Sequence, residues 1–276
     1  MPAEAVSLDE LRERAHALRR HVVQLVARTG LGYLQQGLGA ADIFATLYFA
    51  ELRLDQTNPD WADRDRFVLS TAHNTAVFYA ALAERGLMPL ALLDEYLKDG
   101  SPLEVNASER IGPLIEATCG SLGQGLSVAL GMALGLRLRG SPARVYVVLG
   151  DGELQEGQVW EAAMSAAGHR ADNLCVVLDR NRMQVEGDTE GVMPLEPIAA
   201  KWAGFGWHVL EVDGNDVAAL RSALAAARET SGRPTCIIAR TLTGKGVPFL
   251  EGRLSHLAAL SAADAERALE ALGART

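Results

Sequence analysis

Residues 145–183 read VYVVLGDGELQEGQVWEAAMSAAGHRADNLCVVLDRNRM, and this stretch decides the fold. Two uninterrupted apolar runs, Val145 to Leu149 and Leu174 to Leu178, read as strands buried on both faces of a parallel sheet. A polar loop follows each: Gly150-Asp151-Gly152-Glu153 after the first and Asp179-Arg180-Asn181-Arg182 after the second. A helical stretch from about Val159 to Ala167 lies between them, so the unit is β-loop-α-β. In an open α/β sheet, ligands sit in the crevice beyond the carboxyl ends of the strands. That geometry brings Asp151 and Asn181 together. A carboxylate and an amide oxygen are hard ligands, suited to Mg²⁺ and not to zinc. Two are too few for a cage, but they fit a cation that also holds the oxygens of a phosphorylated ligand. The glycines flanking Asp151 leave room for a diphosphate to approach the backbone.

Outward from this unit, the rest of the chain supplies more strands and helices. Residues 7–28 form an amphipathic helix with Ser7 and Glu10 at capping-box spacing; its His16 and His21 read as solvated. Gly30-Leu31-Gly32-Tyr33 breaks it, and a second helix runs from about Ala40 to Leu52. Arg66 to Leu69 is a short strand that leads into His73 and a helix from Val77 to Glu84, which puts His73 on the ligand-bearing edge. The polar run 106–110 reads as a surface loop or lid. Thr118 to Gly125 opens a helix to about Arg139, whose small residues Gly125, Ala129, Gly131, Ala133 and Gly135 allow close backbone approach. Its glycine spacing is not the dinucleotide fingerprint. Beyond the central unit come a loop from Val185 to Pro197, a short helix from Ile198 to Phe205, a strand from Trp207 to Val212, an Asp216-capped helix, a strand from Thr235 to Arg240 and a closing helix from Ala262 to Leu272. Five strands alternating with helices predict one doubly wound α/β domain over residues 1–276, a mostly parallel sheet with helices on both faces.

Composition narrows the function. The net charge of −9 disfavours nucleic acid and anionic membrane surfaces as partners, because both need clustered Lys and Arg. No apolar run reaches the roughly 18 residues of a membrane span, and the N-terminus has no signal-peptide core. Cys119, Cys175 and Cys236 lack metal spacing and read as reduced core thiols of a cytoplasmic protein.

The string GDGELQEGQVWEAAMSAAGHRADNLCVVLDRNRMQ resembles the thiamine diphosphate signature, GDG followed some thirty residues later by Asn. GLGAADIFATLYF, NPDWADRDRFVLSTAH, EATCGSLGQGLSVALGMAL, GFGWHVLEVDGNDVAAL and TGKGVPF resemble the transketolase branch of that family, and together they span about residues 20 to 256. The resemblance is to the N-terminal subunit of a split transketolase, the module that binds the diphosphate end of the cofactor. It implies thiamine diphosphate with Mg²⁺ (or Ca²⁺ or Mn²⁺) and transfer of a two-carbon ketol unit from a ketose phosphate to an aldose phosphate. Asp151, Asn181 and the Met183 carbonyl match the family's metal ligands. His73, Gly120, Ser121, Leu122, Gly152, Asn181 and His256 match cofactor contacts. His256 also matches a catalytic histidine near the substrate channel, and Glu156 an acidic residue proposed to link paired active sites.

Tyr33 and Asn106 stand at substrate-channel positions where the family carries histidines that bind the sugar donor, which points to a donor other than the ordinary ketose phosphates. The glutamate that activates the aminopyrimidine belongs in this family to the pyrimidine-binding module, and no residue here replaces it. A transketolase C-terminal subunit is therefore the expected partner, in an α2β2 heterotetramer with sites between chains. The competing readings are a deoxyxylulose phosphate synthase, the α-subunit of a 2-oxo acid dehydrogenase, and a non-catalytic regulatory subunit.

Overall fold

The computed structural model describes residues 6–30, 32–253, 256–257 and 259–273; Leu31, Leu254 and Ser255, on which parts of the sequence reading fell, lie outside them. In chain order the elements are α1 (Leu8–Thr29), α2 (Leu34–Thr46, extended by a π-helical turn, Leu47–Glu51), β1 (Arg66–Leu69), α3 (Thr75–Glu84, entered through a 3₁₀ turn, Ala72–Asn74) and α4 (Gln124–Leu138). The central unit follows as β2 (Val145–Gly150), α5 (Gly157–Gly168) and β3 (Leu174–Arg180). A small hairpin, β4 (Met183–Gln184) and β5 (Gly187–Asp188), leads to α6 (Thr189–Val192) and α7 (Ile198–Gly204). The chain then runs through β6 (His208–Asp213), α8 (Val217–Glu229), β7 (Thr235–Arg240) and α9 (Ala262–Gly273).

Five strands pair in the order β1-β2-β3-β7-β6, all parallel. Alternate side chains along a strand face opposite sides, so each apolar run feeds two cores. Val145, Val147 and Leu149 pack with α4, α5 and α7, while Tyr146 and Val148 pack with α1, α2, α3, α8 and α9. This is the doubly wound sheet that the alternation of elements predicts. Ser7 caps α1 by accepting the Glu10 N–H at 3.1 Å, and Asp216 caps α8 by accepting that of Ala218 at 2.8 Å. All three cysteines are buried and free. Among the described residues no helix is long and apolar enough to cross a membrane.

Several local expectations need correction. α2 starts at Leu34, six residues before Ala40, despite two early glycines. A Cβ on Gly37 would stand 3.0 Å from Val22, and one on Gly39 would stand 2.9 Å from the Leu242 carbonyl, so close packing outweighs their poor helix propensity. Asp179 and Arg180 are not loop residues. They end β3 in full register, Asp179 opposite Gly150 and Ala239. The segment from Val185 to Pro197 is not a bare loop, because it holds β5, which pairs back onto β4, and α6. Of the small residues in α4, Gly125 lies against Ser70, the residue that follows β1, whereas a Cβ on Gly131 or Gly135 would meet nothing within 4 Å. His21 is part-buried and pairs with Glu84 at 2.7 Å, joining α1 to α3.

Candidate active site

Four strands deliver polar residues to one edge of the sheet. β1 ends in Thr71, His73 and Asn74, β2 in Gly150 and Asp151, β3 in Asp179 and Asn181, and β7 in Thr241. A cavity of about 280 Å³ opens there, at the low end of the range for small-molecule sites (roughly 300–1,000 Å³). His73, Leu122, Asp151, Gly152, Glu156, Asn181, Met183 and His256 all line it.

The other four expected residues are set back from it. The Tyr33 ring meets those of His73 and His256 edge-on, at centroid distances of 4.7 and 5.3 Å, and the two histidines meet each other at 4.5 Å. Asn106 packs on Gly120: a Cβ there would lie 2.7 Å from its amide nitrogen. Gly120 and Ser121 are exposed and precede the lining residue Leu122.

Each oxygen is oriented by neighbours. Asp151 Oδ1 accepts the Gly152 N–H at 2.7 Å, and Oδ2 accepts from the Arg182 N–H at 2.5 Å and from the Arg180 guanidinium at 2.9 Å. Burial pushes the Asp151 carboxyl up to about 6, against the opposing hydrogen bond from Arg180. Asn181 Oδ1 accepts the Met183 N–H at 2.8 Å while its amide nitrogen donates to Asp179 at 3.3 Å, which fixes which end of the amide is oxygen. Asp179 also accepts from Asn74 at 3.2 Å and from the Thr241 hydroxyl. A Cβ on Gly152 would lie 2.8 Å from Gln184 Cβ and 3.4 Å from the Met183 carbonyl oxygen, and the first of these makes glycine the residue that lets the β2 loop and β4 come together.

Burial, and then His256, lowers His73 to about 4; burial also lowers His256. Both imidazoles are neutral at pH 7, each with one donor and one acceptor.

The sequence reading did not single out four contributors. Glu153 is buried and ties three loops, accepting from Gly123 N–H at 2.8 Å, Gly150 N–H at 3.1 Å and the Ser70 hydroxyl. Asp179 orients Asn181. Gln36 and Asn74 line the cavity with buried carbonyl oxygens that have no hydrogen-bond partner among the described residues. The clue to Asn74 was its place beside His73; Gln36 reaches the site from α2 and has no local signal.

An all-oxygen set of one carboxylate, one amide and one carbonyl suits Mg²⁺. Among the described residues no group of three His, Cys, Asp or Glu could hold a metal, so any cation here shares its shell with a ligand or water. Two orphaned buried acceptors and a cradle closed by Gly152 fit a polar ligand bound with that cation.

An α/β module with such a half-built, oxygen-lined site beyond its strand ends is a cofactor-binding domain. Residues 11–276 match the family "Transketolase, thiamine diphosphate binding domain", and the chain belongs to it. It is 41% identical to the 6-deoxy-6-sulfo-D-fructose transketolase subunit SqwG of Clostridium sp. (strain MSTE9), over 89% of this chain and 90% of that one. It is 36% identical to an apulose-4-phosphate transketolase subunit from Actinobacillus succinogenes, over 90% of each. The structure resembles the transketolase from Leishmania mexicana with a TM-score of 0.89 and 30% identity; the match covers 98% of this chain but only 42% of that enzyme's.

Proposed function

We propose that residues 1–276 form one domain, the diphosphate-binding subunit of a two-chain transketolase in the cytoplasm. In this reading the cofactor is thiamine diphosphate, and when bound it supplies the chemistry that cleaves a ketose and passes two carbons to an aldose. Asp151, Asn181 and the Met183 carbonyl hold Mg²⁺, and Gly152 gives its backbone to the diphosphate. His73 and Leu122 contact the cofactor, with Gly120 and Ser121 continuing that wall. His256, neutral at pH 7, donates to or accepts from a substrate hydroxyl at the mouth. Glu156, exposed at the same edge, faces a second polypeptide.

One observation carries this reading. Among the described residues that line the cavity there is no lysine or arginine, while Asp151, Glu153, Glu156, Asp179 and Glu186 are all acidic. A diphosphate enters such a wall only with a divalent cation between the charges. The relatives named as subunits support a partner chain, one that supplies the pyrimidine-binding half and the activating glutamate, in an α2β2 assembly. Tyr33 beside both histidines supports a donor ketose whose hydroxyls are read by a phenol, and the sulfo-sugar and apulose phosphate relatives point to modified or branched sugars.

The test is a coupled assay with thiamine diphosphate, Mg²⁺, an aldose phosphate and a panel of ketoses. Turnover is expected only after a transketolase C-terminal subunit is added. Turnover by the purified chain alone, or none with any partner despite cofactor binding, would count against the proposal.

A further inference from the structure

Arg180 is the last residue of β3, and only 1% of its side chain is exposed. Its Nη1 donates to Asp151 Oδ2 at 2.9 Å and to Thr189 Oγ1 at 2.6 Å. Its Nη2 donates to Glu190 at 2.8 Å and to Glu196 at 3.2 Å. One guanidinium therefore joins the carboxylate at the end of β2 to a segment that follows the β4–β5 hairpin. We propose that Arg180 is the positioning residue of the cation site: it aims the Asp151 carboxylate and makes residues 183–196 part of that site. The proposal rests on Asp151 as a metal ligand.

Three features support it. With Arg180 and the Arg182 N–H on Oδ2, and a single N–H on Oδ1, Oδ1 is the oxygen left with a free lone pair for a cation. A planar fork of donors can bridge three carboxylates at fixed angles, which a lysine ammonium cannot. Glu190 and Glu196 offset the positive charge that would otherwise repel a divalent ion, and they also stitch their own segment. Glu190 accepts the Leu195 N–H at 3.1 Å, and Glu196 accepts the Ile198 N–H at 2.9 Å. The same segment carries the cavity wall, because the hairpin that presents Gln184, Val185 and Glu186 is pinned by Thr189 N–H to the Arg182 carbonyl at 3.1 Å. A change at Arg180 is thus felt at the metal oxygen and at the wall together.

The experiment compares full-length wild type with Arg180→Met, Arg180→Lys and the double variant Glu190→Gln/Glu196→Gln, each combined with a transketolase C-terminal subunit. Mg²⁺ is titrated by calorimetry at saturating thiamine diphosphate, and hydrogen exchange is followed over residues 183–196 without ligand. Arg180→Met is expected to raise the apparent Mg²⁺ dissociation constant about 10–100-fold, as loss of an outer-shell partner does. It is expected to speed exchange across 183–196 while β2 and β3 exchange as in wild type. Arg180→Lys regains part of the affinity. The double variant alters two partly exposed side chains, so its core stays folded; it speeds exchange over 189–196 and weakens Mg²⁺ about threefold. Unchanged Mg²⁺ affinity in Arg180→Met overturns the proposal, and so does equal loosening of β2 and β3, which would mark a general structural role. If wild type shows no Mg²⁺-dependent binding, the reading of Asp151 fails and takes this one with it. Wild-type binding alongside an indifferent Arg180→Met sinks this proposal alone.

Discussion

Replacing Gly125 by alanine sets two opposing effects against each other. In an open helix interior, Gly→Ala gains about 1 kcal/mol through backbone entropy. At Gly125 the new Cβ would sit 2.5 Å from Ser70 Oγ and 2.8 Å from Ser70 Cα. Carbon atoms pack best at roughly 3.5–4.0 Å, so α4 and β1 would have to part by about 1 Å. Overpacking of this kind costs about 1–3 kcal/mol, and the upper end applies because the obstacle is backbone. The same shift stretches the Gly125 N–H bond to Ser70 Oγ (3.2 Å) and disturbs the Ser70–Glu153 contact. A net loss of about 2 kcal/mol is expected, which lowers Tm by roughly 4–8 °C in a chain of this size. Gly131→Ala and Gly135→Ala meet no atom within 4 Å, so each should raise Tm by about 2–4 °C per kcal/mol gained. Differential scanning calorimetry of the three variants gives the answer. A Gly125→Ala protein as stable as the other two would refute the packing argument.

Asp151→Asn should abolish Mg²⁺-dependent thiamine diphosphate binding, a loss beyond the roughly 10–100-fold typical of outer-shell changes, with secondary structure intact by circular dichroism. Retained binding would remove Asp151 from the metal shell. His73 is held near pH 4 in the fold against 6.5 when free, first by burial and then by His256. The unfolded chain therefore takes up a proton between pH 6.5 and 4 that the folded chain refuses, and stability falls as pH falls through that window. About 3 kcal/mol is at stake. Urea unfolding of cofactor-free His73→Asn should show a shallower loss from pH 6.5 to 4.5 than wild type; parallel slopes would mean that His73 is not so held.

Much of the sheet was readable because strands covered on both faces leave a plain mark: Val145 to Leu149 and Leu174 to Leu178 are unbroken apolar runs. Asp151 and Asn181 were readable because a β-loop-α-β unit puts both strand ends on one edge. What escaped depends on partners far along the chain. Asp179 and Arg180 look like loop residues until Asn74, Thr241, Asp151 and the 189–196 segment come round to satisfy them, whereupon two charges can end a buried strand. Gly37 and Gly39 argue locally against a helix, and only the nearness of Val22 and the Leu242 carbonyl explains them. Gln36 gives no local hint either, since its route to the cavity is set by how α2 packs.

The strand order has a further consequence, for how the chain reaches this state. β1 pairs with β2 through Arg66 and Val145, and β3 with β7 through Cys175 and Thr235, so neighbours in the sheet lie far apart in sequence. Parallel pairing of this kind closes long loops before any contact rewards the closure, and such topologies fold slowly. The oxygen-lined edge draws on β1, β2, β3 and β7, so it exists only after β7 has docked between β3 and β6. A chain emerging from the ribosome carries the Asp151 and Asn181 loops well before β7 is available to complete the edge. In the reading proposed above, cofactor binding is thereby reserved for the finished fold.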